Sequence, residues 1–269
     1  MKGMLRPVQE RVVGEDALEP HVAIVAAANP TDTAVDAYDL APAMANRFLH
    51  LDWQFDSGVW LDNIVTGFDH VQYPALDRIL SADPSTRRAV VAGQVATFIK
   101  NNSRHLAPEP PKDLTKAGKA WPSPRSWSNA IEVLAQLEPE DMEAARLVLE
   151  GLVGHGAGTE YLAWVAANDL YDPLEVMNDP SIVDFGARPD KLFALAQSVT
   201  ALGLLSDANW SPAAHVLTVF AENGKPDVAM PGATKLLNQL PKGKRVPERF
   251  RAAFMALFQH TQHRVVAAA

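Results

Sequence analysis

The sequence predicts a mainly α-helical chain that opens with a remnant of α/β structure. Three observations carry that expectation. The apolar run at residues 21–28 (HVAIVAAA) stops at Asn29-Pro30, and a short continuous apolar run suits a strand buried on both faces, as in a parallel sheet under helices. From about Tyr73 onward apolar residues recur at helical rather than alternating spacing. The 269 residues are 48% hydrophobic and 21% charged, which supplies material for one large domain or two to three small ones.

Taken in order, Arg11 to Val13 and the residues after Gly14 read as a short hairpin. Residues 21–28 follow as the buried strand, 39–46 as a short helix, and 48–53 (FLHLDW) as a second strand. Residues 74–80 and 85–101 read as helices, the longer one started by Pro84. A Pro- and Lys-rich loop occupies 106–124. Residues 126–137 place Ile131, Leu134 and Leu137 on one side of a helix, and 138–153 space Met142, Ala145, Leu149 and Leu152 likewise. The glycines at 151–158 interrupt the pattern. Helices are expected again at 160–168, 191–205, 212–222 and 247–259, the last with Phe250, Phe254, Leu257 and Phe258 on one face. Residues 170–188 and 223–245 hold most of the remaining Pro and Gly and read as ordered loops or short helices.

The formal net charge of −8, from 24 basic and 32 acidic residues, argues against a nucleic-acid surface, which is usually basic. There is no cysteine, so disulfides, thiolate metal sites and cysteine nucleophiles are excluded. Residues 1–8 lack a run of signal-peptide length, and no stretch approaches the ~18 apolar residues that span a bilayer. The chain reads as cytoplasmic, without a membrane or nucleic-acid partner.

Three short pieces carry candidate chemistry. The amide of Asn29 ends the first strand, at the sheet edge where α/β folds bind ligands; the plain alternative is a turn. Arg47 follows the short helix at 39–46, where a cation can reach a phosphoryl group on a neighbouring subunit or merely stabilise a helix C-terminus. Arg125 lies at the start of a helix in Trp121-Pro122-Ser123-Pro124-Arg125-Ser126-Trp127. That is a poor place for a cation on dipole grounds unless an anionic ligand is near; the alternative is a surface Arg in a loop capped by Ser123 or Ser126.

Together, in this order and spacing, AANP, NRF and SPRSW resemble the C-terminal half of the AAA+ ATPase module, nearest its MoxR-like, dynein-related branch, over roughly residues 4–153. The resemblance implies the end of a P-loop α/β core (1–72), a helical lid (73–153) and a helical C-terminal extension (154–269). It implies that Asn29 is sensor 1 and helps place the attacking water. Arg47 is then the arginine finger offered to the next subunit, and Arg125 is sensor 2, in contact with the γ-phosphate. Residues 9–20 become the hairpin before sensor 1. ATP and Mg²⁺ are the implied cofactors of a complete protein, a ring of identical subunits its assembly, and remodelling of a client protein its work.

The departure is large. The Gly-Lys pairs at Gly118, Gly224 and Gly243 fit no P-loop, and no Asp-Glu dipeptide exists to end a Walker B strand. Both motifs would lie upstream of Met4, so the chain reads as a truncated product, a mis-assigned start or half of a split protein. Neither cofactor is expected to bind it tightly, and alone it is expected not to hydrolyse ATP. Val22, Ile24 and Val25 are then expected to be poorly buried. The rival reading is a non-catalytic helical scaffold that binds partners. His260 and His263 lack a third metal ligand. Gly156 and Gly158 fail the dinucleotide spacing at Tyr161, and Lys112, Lys116, Lys119 and Arg125 read as a solvated basic loop.

Overall fold

A computed structural model describes residues 2–20, 22–29, 40–68, 70, 83–107 and 109–255. The expected helix at 74–80, the residues after 255 and the His260/His263 pair lie outside them. The described chain is mainly helical.

Helix α1 (Lys2–Glu10) leads into the hairpin of β1 (Val12–Val13) and β2 (Asp16–Ala17), which pair antiparallel with Val12 opposite Ala17. Gly14 starts the two-residue turn at φ +64°, the left-handed region that glycine enters without a Cβ clash. The Arg11 guanidinium gathers the following chain by donating to the carbonyls of Glu19 (2.8 Å) and Val22 (2.6 Å).

This hairpin is the only sheet among the described residues, and it overturns both expected strands. Residues 22–28 are irregular and mostly exposed, Val25 to 88%. A strand buried on two faces needs ladder partners and covering helices, and the described residues supply neither; of the three residues expected to be poorly buried, Val22 and Val25 are exposed and Ile24 is half-buried. Residues 48–53 are not a strand either. The His50 amide donates to the Gly151 carbonyl at 2.9 Å, and Leu49 packs on a helical core. A helix end has taken the place of a strand partner.

The short helix expected at 39–46 is α2 (Pro42–Ala45), and α3 (Ser57–Thr66) follows, started by Asp56, whose carboxylate accepts from the amides of Gly58 and Val59. The first core is built by α4 (Ser85–Asn101), α6 (Pro124–Leu134), α7 (Met142–Val153) and α8 (His155–Asn168), with α5 (Leu114–Ala117) in the loop before α6. At its centre Phe98, Trp127 and Tyr161 meet with ring centroids 5.4–5.8 Å apart. Aromatic groups at this spacing stabilise by about 0.5–1.5 kcal/mol per pair beyond their burial.

Gly154, at φ +86°, turns α7 into α8. Gly156 and Gly158 lie inside α8 rather than in the expected turn, and a Cβ on Gly158 would meet Leu149 at 3.0 Å. The glycine is there because the two helices cross closely. Ala157 and Tyr161 share one core with Trp127 and Leu149, so α8 packs with the helices before it.

The second core gathers α9 (Pro173–Asn178), α10 (Pro189–Gly203), α11 (Asp207–Glu222), α12 (Pro226–Asn238) and α13 (Glu248–Ala253) around Trp210, Leu217, Phe220, Leu236 and Phe250. The Trp210 indole nitrogen donates to the Leu236 carbonyl at 2.8 Å, which satisfies its polar edge inside the core. The two cores join where α4 crosses α10. Val91, Val95 and Phe98 serve the first core, while Gly93 meets Ser198, whose hydroxyl donates to the Val90 carbonyl at 3.2 Å. Lys100 sits over the Phe193 ring at 3.5 Å.

Candidate functional site

The start of α6 is fixed by its own sequence. Ser123 is the N-cap, its hydroxyl accepting from the Ser126 amide at 3.0 Å, and the Ser126 hydroxyl accepts from the Ser123 amide at 2.8 Å. Such a reciprocal box satisfies two amides that would otherwise lack partners. Pro124 takes the first helical position, where its missing N–H costs nothing. Arg125 is therefore second in the helix and exposed, a cation laid over amides that favour an anion. Trp127, one turn in, is buried and donates from its indole nitrogen to the His105 carbonyl at 2.7 Å, pinning the helix to the aromatic centre.

The turn after α2 docks on this helix start. Asn46 is buried; its Oδ1 accepts from the Ser123 hydroxyl at 2.6 Å and its amide nitrogen donates to the Trp121 carbonyl at 3.4 Å. Arg47 follows Asn46 and Arg125 follows Ser123 by two, so this tie brings the two arginines near enough for the charge of one to act on the other. The Arg47 guanidinium donates to the Ala43 carbonyl and, at 3.0 Å, to Gln9 Oε1. Both acceptors are neutral. Partial burial, and then the positive charge of Arg125, hold Arg47 below its ordinary pKa. Neither arginine has an ion pair with a described residue, and Arg125 has no hydrogen bond to one. The buried indole nitrogen of Trp121, two residues before the cap, also lacks a hydrogen-bond partner.

Two of the three sequence-read residues thus converge, and the third does not join them. Asn29 is exposed in irregular chain and forms no hydrogen bond with a described residue. Sequence reasoning missed Asn46, which ties the site together. Its only local signal is a polar amide directly before Arg47, and its partner lies 77 positions away.

Elsewhere, no group of three or more acidic or histidine side chains is placed to hold a metal among the described residues, and no described helix is long and apolar enough to cross a membrane. Two shallow hollows of about 370 and 450 Å³ flank His215 on α11. Neither is lined by Arg47 or Arg125. The helical body is braced at its edge by Glu160 of α8, which accepts from His105 (2.8 Å) and Arg104 (2.5 Å). Those bonds hold the Glu160 carboxyl below its usual range.

No protein-family model matches the chain, and no curated protein or solved structure is detectably similar to it.

Proposed function

We propose that this chain is the nucleotide-responsive C-terminal part of a AAA+ ATPase of the MoxR-like kind, in which helices α4 and α6–α8 act as the lid over a nucleotide. The observation that carries the reading is the convergence of Arg47 and Arg125, without a carboxylate, at the capped start of α6. A planar guanidinium can take phosphate oxygens two at a time, and helix-start amides add to that attraction. The residues present fit a terminal phosphate. They do not fit magnesium, because the sequence has neither a P-loop nor an Asp-Glu strand end; on this reading Mg²⁺ and the remaining phosphates are held by other residues of a ring-forming assembly that remodels a client protein. Arg125 senses the γ-phosphate from its own chain. Arg47 lies at the edge of the same site, from which it would reach a neighbouring subunit.

The test is titration of the chain with ATP and with ADP, read by the fluorescence of Trp121 and Trp127 beside the site. ATP should bind weakly but better than ADP, and no phosphate should be released. Arg125→Ala should remove the preference, a loss of about 1.5–3 kcal/mol for a hydrogen bond to a charged group, and Arg125→Lys should restore little of it. An ATP-to-ADP preference that Arg125→Ala leaves untouched would end the assignment.

A second reading, a partner-binding scaffold without ATPase activity, is favoured by one observation. Nine large apolar side chains between Leu51 and Phe68 are exposed. On that reading neither nucleotide changes the fluorescence.

A further inference from the structure

Two buried tryptophans, Trp127 and Trp210, each donate their indole N–H to a backbone carbonyl, that of His105 at 2.7 Å and that of Leu236 at 2.8 Å. Trp121 does not. Its ring is only 7% exposed, and its Nε1 has no hydrogen-bond partner. An indole nitrogen can donate and cannot accept. Leaving such a donor buried and unpaired is costly, so folded chains rarely do it without a reason. Four other buried side-chain atoms among the described residues are unpaired: Arg87 Nε, Trp164 Nε1, Asn168 Oδ1 and Gln197 Nε2. They lie on α4, α8 and α10. Trp121 stands apart from them in the turn before α6, and it belongs to neither of the two cores.

Its position is set by the bonds that set the cap. The Trp121 carbonyl accepts from the Ser126 hydroxyl at 2.8 Å and from the Asn46 amide nitrogen at 3.4 Å. Residue 121 is thereby fixed to the helix start that carries Arg125 and to the turn that carries Arg47. Asn46, Ser123 and Ser126 satisfy one another. Two donors at this place are left over: the Arg125 guanidinium, which has no hydrogen bond or ion pair with a described residue, and the Trp121 indole.

We propose that the Trp121 indole N–H is a further donor to the phosphoryl group that Arg125 holds, shut away unpaired in the free chain and paired when the anion is bound. A terminal phosphoryl group presents three oxygens. A guanidinium takes two of them in parallel, and the third is open to a single donor such as an indole. A carboxylate has no third oxygen, so the extra donor selects phosphoryl ligands over carboxylates. The turn must open for an anion to reach Nε1. The bonds that close it, Asn46 to Trp121 and the Ala107 amide to the Pro122 carbonyl at 2.7 Å, join neutral groups, and a hydrogen bond to a charged group outweighs such a bond. The inference rests on the start of α6 being a phosphate site, though not on that phosphate belonging to ATP.

The experiment follows the indole N–H signals of the six tryptophans in the nitrogen-15-labelled full chain while inorganic phosphate, ATP or acetate is added. The Trp121 signal is assigned by its loss in Trp121→Phe. Phosphate and ATP should move it downfield, as a new hydrogen bond requires, and acetate should move it little. Benzothienylalanine in place of Trp121 keeps the bicyclic ring and puts sulfur where the N–H was. It should raise the urea midpoint, because no buried donor is left unpaired. It should also weaken phosphate binding by about tenfold or more, the loss of one hydrogen bond to a charged group. A ring that only packs would leave phosphate affinity unchanged. The inference is overturned by a Trp121 signal that saturating phosphate leaves in place, by an equal shift with acetate, by an isostere that binds phosphate as the parent does, or by a chain that binds no phosphate. Phosphate binding that Arg125→Ala abolishes, in a chain whose Trp121 signal never moves, ends this inference and leaves the functional reading standing. An ATP-to-ADP preference untouched by Arg125→Ala, with the phosphate-induced Trp121 shift intact, does the reverse.

Discussion

Replacing Gly93 with alanine tests how the two helical cores are joined. A Cβ there would lie 2.2 Å from Ser198 Oγ, 2.6 Å from Ser198 N and 2.8 Å from Ser198 Cα. Within an isolated helix the substitution would be favourable by about 0.8–1 kcal/mol. Overpacking of a tight contact costs about 1–3 kcal/mol, and here two of the three obstructing atoms are backbone. Helix α10 must then shift as a body instead of one side chain turning away, which places the cost near the top of that range. The net expectation is a loss of about 1–2 kcal/mol, read as a lower urea midpoint with the slope unchanged. Ser198→Ala should not rescue it, because the backbone obstruction remains. Gly232 provides the contrast: its added Cβ would meet Thr200 Oγ1 at 2.2 Å, with Leu217 Cδ1 at 3.1 Å and Thr200 Cβ at 3.4 Å. There Thr200→Ala should recover much of the loss caused by Gly232→Ala. If Gly93→Ala is as stable as the parent, or Ser198→Ala rescues it fully, the close crossing is not what joins the cores and the reasoning fails.

Two further outcomes follow from the site and its brace. Asn46→Ala should destabilise by about 1–3 kcal/mol, the cost of leaving buried groups without partners, and speed hydrogen exchange at the Ser126 amide; unchanged exchange there would mean that Asn46 does not hold the cap. Glu160 has a folded pKa below its ordinary 4.5, first through His105 and then Arg104. Its contribution is therefore present above that value and lost as pH falls below it through the folded pKa, so Glu160→Gln should flatten part of the acid limb of stability against pH, and superimposable limbs in the two proteins would refute the pairing.

Much of the helical architecture was legible because its signals are local. The helix at residues 85–101 was read with the bounds of α4, since Pro84 and an even apolar pattern mark it. Where the sequence misled, a breaker residue was serving a different end. Pro212 read as a helix start, but Ser206 caps α11 at Asp207 and Pro212 lies inside it, next to the packed Ala213 and Ala214. Pro226, Pro231 and Gly232 made 223–245 read as ordered loops or short helices, yet Pro226 starts the 13-residue α12, and Ala229, Ala233 and Leu236 bury one face of it. Tertiary packing outweighed propensity in both. The strand at 21–28 failed for the converse reason: its apolar pattern was present, but a strand is completed by neighbours that no local pattern contains. Of the site, Arg125 was legible as a misplaced cation, while its nearness to Arg47 depends on the Asn46–Ser123 bond, which no local spacing announces.

That bond also bears on how the proposed site would respond to a ligand. Two like charges beside a helix start repel each other and the local amides, so the arrangement without an anion is held by neutral hydrogen bonds: Asn46 to Ser123 and Trp121, and Arg47 to Ala43 and Gln9. These contacts link α6 to α2 and, through Gln9, to the segment before the hairpin. An anion between the guanidiniums would relieve the repulsion and draw the 46–47 turn and α6 together, with Trp127 carrying the displacement into the aromatic centre. A phosphate on a neighbouring subunit that captured Arg47 would do the opposite, drawing it from Gln9 and leaving Arg125 with less repulsion in its own chain. In either case the orientation of α6 follows the charge near two side chains, because the tie between them is made of neutral bonds worth about 0.5–1.5 kcal/mol each, weak enough for a charged ligand to outweigh.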